Sequence, residues 1–305
     1  MTIPDFQTIM LPVLTCAEDG KEWAMKDITK VIEDQYGLSE EERMTMLPSG
    51  YSRVIVNRVG WAKTHLKEAG LLQSVRRGFV RITSEGRQVL EESPGRIDLK
   101  YLARFPSFIL FREKGKVSGT SVEIAAETIA EVSTTPHEQI ETAFAELQEA
   151  LADELLDQVK EMSDTFFERL VVELLVSMGY GGSIEDAGKA VGKSGDGGID
   201  GVIKEDKLGL DVIVIQAKRW TANAVGRPEI QAFVGSMEAY RANKGVFITT
   251  STFSAPAHEY VHQIQRKISL IDGRMLATLM IEYGVGVSSY RTIHLKRLDT
   301  DFFQE

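Results

Sequence analysis

Apolar residues recur at three- and four-residue intervals over 4–18 (Ile9, Leu11, Val13, Leu14) and 22–35 (Met25, Ile28, Val31, Ile32), with Gly20 and Gly37 placed as stops. This spacing predicts two short amphipathic helices. A longer amphipathic stretch over 51–69 ends at Gly70. The run LLQSVRRGFVRIT then reads as a hairpin whose Arg-Arg-Gly turn joins 72–75 to 79–83. Three helices followed by a two-stranded wing is winged-helix order, so 1–92 is expected to be a winged-helix domain. Over 93–136 the periodicity lapses among Pro94, Pro106, Gly115, Gly119 and Pro136, which reads as a linker with some local structure. Ile140, Phe144, Leu147, Leu151, Leu155 and Val159 restore a helical stripe on an acidic segment over 138–160. A helix capped by Ser163 follows and stops at Gly179. Beyond it the pattern alternates: strands at 199–203, 210–218, 245–249 and 268–271, and helices at 227–241, 254–266 and 273–283. The expected class is α/β (α+β), with a mixed-sheet domain over 137–305.

Composition places few further limits on this picture. The 305 residues are 43% hydrophobic and 26% charged, as in an ordinary globular protein of about two domains. The opening MTIPDFQTIMLPVL has no basic leader, and no apolar run approaches the ~18 residues of a membrane span, so a cytoplasmic protein without membrane contact is expected. A single cysteine, Cys16, excludes an internal disulfide or a cysteine zinc cluster and is read as core.

Charge changes the picture more. The chain carries a net charge of -10, yet 53–87 holds eight Lys/Arg against Glu68 and Glu85. Residues 120–175 hold fourteen acids against Lys160 and Arg169. A basic island on a winged helix predicts DNA phosphate contacts from Arg53, Asn57, Arg58, Lys63, Arg76 and Arg77. The plainer alternative is a protein-binding module with a solvated basic face.

The strand at 210–218 raises the chemical question. Ile213 and Ile215 lie on one face and Val212 and Val214 on the other, so the strand is expected to be central and buried, yet it ends in Gln216-Ala217-Lys218. Period two puts Gln216 and Lys218 side by side, and a buried amine calls for a carboxylate, which Asp200 on the neighbouring strand can supply. Phosphodiester hydrolysis needs oxygen ligands for a divalent metal and a cation facing the growing phosphorane charge. Asp200, the Gln216 amide oxygen and the Ala217 carbonyl suit the first need, and Lys218 the second. Two other motifs fail: Gly192-Lys193-Ser194 lacks the first P-loop glycine, and the glycines around Asp196 lead into a strand rather than a helix.

Asp200 followed by Gln216-Ala217-Lys218 resembles the PD-(D/E)xK nuclease motif. With FFERLVVELLVSMGYGG, GDGGID, VIQAKRW and KGVFITTSTFS in order, the chain resembles the Mrr-type restriction endonucleases over most of its length. The resemblance implies a restriction-endonuclease-like core and Mg²⁺-dependent cleavage of foreign, methylated double-stranded DNA by a host-defence enzyme. Cutting both strands takes two sites, so a homodimer or larger assembly is expected. Matched to the motif, the metal-binding aspartate falls on Asp200, the second acidic position on Gln216 and the lysine on Lys218. Gln216 departs from the usual Asp or Glu, so a further carboxylate is expected nearby. Glu168 is the candidate, since it lies about 20° from Leu175 on the helix stripe whereas Glu173 lies about 60° from its nearest member. Asp196, Gln231, Arg219 and Trp220 are weaker candidates for the loop, the site or the DNA backbone. His258 and His262 share a helix face and are read as structural. A DNA-binding regulator whose nuclease-like domain serves assembly is the alternative.

Overall fold

A computed structural model of the chain describes residues 3–114, 133–180, 199–205, 211–220, 223–299 and 302. It divides into two compact units, 1–146 and 147–305.

The first unit opens with α1 (Met10–Cys16), β1 (Trp23–Ala24), α2 (Met25–Gln35) and α3 (Glu40–Met44). α4 (Val54–Glu68), β2 (Leu72–Arg76), β3 (Phe79–Ile82) and α5 (Ser84–Glu91) follow. The three strands form an antiparallel sheet in the order β1-β3-β2. The predicted hairpin is present, with Gly78 at its turn at φ 73°, a conformation that suits glycine. α1 is shorter than its apolar spacing suggests because residues 6–9 form turns ahead of it, and α2 starts at Met25 because Trp23–Ala24 leaves the helical pattern to pair with β3. Helix α3 was missed, although Ser39 and Glu42 form a capping box that is visible as S-x-x-E.

The segment expected as linker is partly folded. Asp98 caps α6 (Leu99–Leu102), and α7 (Pro106–Lys114) follows. Leu99, Leu102 and Phe108 join Ile9, Ile28, Ile55 and Leu66 in the first core. Its prolines and glycines hid helices too short to show a period.

Helix α8 (Pro136–Glu161) contains the unit boundary, and α9 (Asp164–Ser177) starts at the predicted Ser163 cap. Then come β4 (Gly201–Lys204), β5 (Val212–Lys218), α10 (Arg227–Ala239), β6 (Lys244–Thr249), α11 (Ala255–Gln263), β7 (Lys267–Ile271) and α12 (Gly273–Glu282). The sheet is mixed, in the order β4-β5-β6-β7, with β4 antiparallel to β5 and the remaining pairs parallel. Helices cover both faces. Phe167, Leu170, Val171 and Leu174 of α9 pack with Ile203, Ile213, Ile215 and Ile248. On the other face Ile230, Phe233 and Met237 of α10 pack with Val214 and Phe247. Gly245 allows that approach, since a Cβ there would lie 2.9 Å from the Phe233 ring. The buried β5 follows from its two apolar faces, as predicted. No described helix is long and apolar enough to cross a membrane.

Candidate active site

Hairpin register brings the three motif residues together. Gly201 pairs with Ile215, so Asp200 arrives level with Gln216, and the Asp200 N–H donates to the Ile215 carbonyl at 3.0 Å. The Ala217 N–H donates to Asp200 Oδ2 at 2.7 Å. Gln216 pairs in register with Phe247 and Lys218 with Thr249. Alternation therefore puts Gln216 and Lys218 on one face of β5 and Ala217 on the other, where it packs with the α9 side of the sheet.

Electrostatics links Asp200 both to Lys218 and to Glu168, which stands on α9, on the side of the sheet that Ala217 meets. Burial pushes the Asp200 carboxyl above its ordinary range, and the Ala217 N–H and the Lys218 charge only partly offset the rise. Glu168 on α9 is also raised, first by burial and then by the negative charges of Asp200 and Asp164. The two carboxylates thus sense each other, and Asp200 senses Lys218. Glu173, by contrast, is exposed.

Gln216 is 6% exposed, and its buried Oε1 has no hydrogen-bond partner among the described residues. An orphaned buried acceptor costs about 1–3 kcal/mol, so it calls for a function. Among the described residues no three His, Cys, Asp or Glu converge as a metal cluster. The groups here that could hold a divalent ion are the Asp200 carboxylate, the Gln216 amide oxygen and the Ala217 carbonyl, with the Glu168 carboxylate near enough to Asp200 to feel its charge. Such a set fits an oxygen-seeking ion that keeps several waters.

The supports of this site were not read from the sequence. Thr249 Oγ1 donates to the Lys218 carbonyl at 2.8 Å, and Thr250 Oγ1 donates to the Trp220 carbonyl at 2.8 Å. Both threonines are buried, and they fix the strand end that carries Lys218. Their signal was a polar Thr-Thr pair closing an apolar strand. Arg219 is tied down, its Nε to Asp164 at 2.8 Å and its Nη1 to the Lys160 carbonyl at 2.6 Å, so it braces α8 and α9 instead of reaching outward. Gln231 is exposed on α10, and His258 packs edge-on against Phe253. Asp196 and the sequence 192–194 lie outside the described residues.

The basic island resolves differently. Asn57 is buried and accepts from Thr135 Oγ1 at 2.6 Å, and Arg58 donates to Glu138 at 2.6 and 2.9 Å and to the carbonyls of Ile3 and Pro4. Contrary to the sequence expectation, the placement of these two suits interior bracing and not a groove-reading surface. The cause is the 133–138 segment, which covers the side of α4 that spacing alone left open. Arg53 stands at the α4 N-cap and donates to Glu33 and to the Arg43 carbonyl. Burial lowers the Lys63 amine, and the neighbouring Lys67 charge adds to this. Arg76 donates to Glu22 at 3.1 Å and lies 3.5 Å over the Phe79 ring, while Arg81 shares the same Glu22. Arg77 lies just beyond β2, in the hairpin turn.

Comparison with known proteins agrees with the fold. A family model described as restriction endonuclease matches residues 159–280, and one described as the Mrr N-terminal domain matches 6–92. The "Type IV methyl-directed restriction enzyme EcoKMrr" of Escherichia coli (strain K12) is 37% identical over 311 residues, covering 100% of both chains. The chain belongs to the Mrr-type restriction endonuclease family. Solved structures with detectable likeness include the "DNA modification-dependent restriction endonuclease AspBHI", at 18% identity, TM-score 0.36 and coverage of 70% of this chain and 56% of that one. The MspJI restriction endonuclease in complex with a 27-mer oligonucleotide gives 18% identity, TM-score 0.33 and coverage of 66% and 47%. The chain thus spans about half the length of those two structures.

Proposed function

We propose that the chain is a metal-dependent endonuclease that hydrolyses phosphodiesters of foreign, methylated double-stranded DNA, with Asp200, Gln216, Lys218 and Glu168 as its catalytic set. The observation that carries the reading is the orphaned Gln216 Oε1, level in register with Asp200 and on the same face of β5 as Lys218. Full-length likeness to a methyl-directed enzyme supports the substrate class. Host defence of that kind acts in the cytoplasm, where incoming DNA is met.

When bound, Mg²⁺ would supply positive charge for the phosphate oxygens and lower the pKa of a water. Asp200, held by the Ala217 N–H, presents its remaining oxygen as an anionic ligand, and Gln216 adds a neutral one. Lys218 places its ammonium beside the developing phosphorane charge or the attacking water. Glu168 offers the carboxylate that the amide at 216 lacks. In the first unit, whose element order supports a winged helix, Lys63, Arg76 and Arg77 remain the proposed phosphate contacts.

The test is plasmid cleavage with and without Mg²⁺, on unmethylated DNA and on DNA bearing defined methylation, comparing the unaltered protein with Lys218→Ala. Cleavage of methylated plasmid alone, lost in Lys218→Ala, is expected. Absence of cleavage on every substrate would instead favour an assembly role.

A further inference from the structure

Helix α4 is closed on two flanks and open on a third. Ile55, Val59, Ala62 and Leu66 face the first core. Asn57 and Arg58 are held by Thr135 and Glu138, Trp61 Nε1 donates to His137 at 3.0 Å, and His65 lies against Phe108 and Phe111. At about 100° per residue, Val56, Gly60, Lys63 and Lys67 fall within about 60° of one another on the side that remains. All of these residues belong to the first unit.

Gly60 is the anomaly on this stripe. It stands at the middle of a 15-residue helix, where glycine costs stability relative to alanine. At Gly86 an added Cβ would strike the Leu71 carbonyl, and at Gly245 the Phe233 ring, but at Gly60 it would meet nothing within 4 Å. No internal contact therefore requires the missing side chain. One turn earlier, Val56 is apolar yet 36% exposed. One turn later, Lys63 has no ion-pair partner among the described residues, and Lys67 reaches Glu68 only at 3.9 Å. The Lys67 charge also opposes that of Lys63, a repulsion between successive turns that an anion facing both would relieve.

We infer, resting on the methyl-directed reading above, that this stripe enters the major groove of DNA: Gly60 lets the helix backbone close on the base edges, Val56 meets the methyl group of a modified base, and Lys63 and Lys67 take flanking phosphates. C5 of a pyrimidine and N6 of adenine both face the major groove, and an apolar side chain is what recognises a methyl group there. Val56 lies in the first turn of α4, the part of a groove-reading helix that reaches base edges. Charge selects the occupant, since the stripe carries two amines and no acid, and a duplex presents rows of phosphates on both sides of the groove.

The experiment titrates the full-length protein, in Mg²⁺-free buffer, with labelled plasmid fragments that are unmethylated, methylated at cytosine C5 or methylated at adenine N6. Gly60→Ala should raise the urea unfolding midpoint and yet weaken binding, a split that a purely structural glycine would not give. Gly60→Leu should keep or raise the midpoint and weaken binding of every fragment roughly tenfold or more. Val56→Ser should cost the preferred methylated fragment roughly fivefold more affinity than the unmethylated one, and Val56→Ile should keep the preference. Lys63→Gln with Lys67→Gln should weaken all fragments alike and lower the slope of log affinity against log salt by roughly 1 to 2. Parent-like binding by Gly60→Leu, an equal loss on all fragments in Val56→Ser, or an unaltered protein that binds all fragments alike would overturn the inference. A change in sedimenting mass of Gly60→Leu with DNA affinity intact would also overturn it and give the stripe to a protein partner. Because binding is read without Mg²⁺, an unaltered protein that binds methylated DNA but never cleaves it would sink only the nuclease reading, whereas Gly60→Leu that binds and cleaves like its parent would sink only the groove assignment.

Discussion

The two basic-or-acidic constellations of this chain behave oppositely. In the second unit, residues chosen for chemistry meet: Asp200, Gln216 and Lys218 converge because hairpin register and strand period place them. In the first unit, residues chosen for charge are largely taken up by acids distant in sequence. Glu22 holds Arg76 and Arg81, Glu33 holds Arg53, and Glu138 holds Arg58. A pattern enforced by backbone geometry survives folding, whereas a count of charges says nothing about their partners.

The largest expected effect lies in the second unit. Lys218→Ala and Asp200→Ala should each lower cleavage by about 10²–10³-fold or more while leaving DNA binding in gel shifts near that of the parent protein. Comparable loss of binding would show that these residues hold DNA instead of cutting it.

In the first unit, Arg58→Ala should act on stability rather than recognition. Arg58 and Glu138 side chains are 17% and 12% exposed, and removal strands a mostly buried carboxylate. A destabilisation of about 3 kcal/mol in urea unfolding is expected, with DNA affinity per folded molecule preserved. A soluble, equally stable variant with lost DNA binding would return Arg58 to the groove.

Gln216 sharpens the comparison further. Gln216→Leu should stabilise the metal-free protein by about 1 kcal/mol, because it removes an unsatisfied buried acceptor, and should abolish Mg²⁺ dependence along with cleavage. Destabilisation would mean that the amide already has a structural partner.

The raised Asp200 and Glu168 carboxyls set a pH signature. A carboxyl whose folded pKa exceeds its unfolded value near 4 binds more protons in the native state, so stability falls as pH rises through that interval. These two carboxyls should therefore contribute stability as pH drops from neutrality toward about 4, opposing the loss from the buried His65 imidazole, lowered to about 4, so Mg²⁺ or Asp200→Asn should steepen the fall in stability on acidification. A slope untouched by either would place its origin elsewhere. The smallest effect should come from Glu22→Gln, which releases Arg76 and Arg81 and should tighten DNA binding a few-fold at low salt. Unchanged binding would remove the hairpin from the DNA surface.

Much of this was legible beforehand. Apolar period located α4, α8, α9 and every strand of the mixed sheet to within a few residues, because burial against a layer imposes its repeat on the sequence. Helices α3, α6 and α7 were too short for a period and were announced only by caps at Ser39 and Asp98. The motif triad and the Glu168 neighbour were readable, since each depends on spacing within one element plus one hairpin register.

By itself the sequence determined the layers, the central buried strand and the convergence of Asp200, Gln216 and Lys218, all of which follow from periodic backbones. Tertiary structure alone decided which charges are spent. The pairing of Arg58 with Glu138, eighty residues apart, the burial of Asn57 beneath Thr135 and the bracing of Lys218 by Thr249 depend on long-range approach. No local pattern encodes such approach, because a side chain's partner is fixed by where another segment comes to rest.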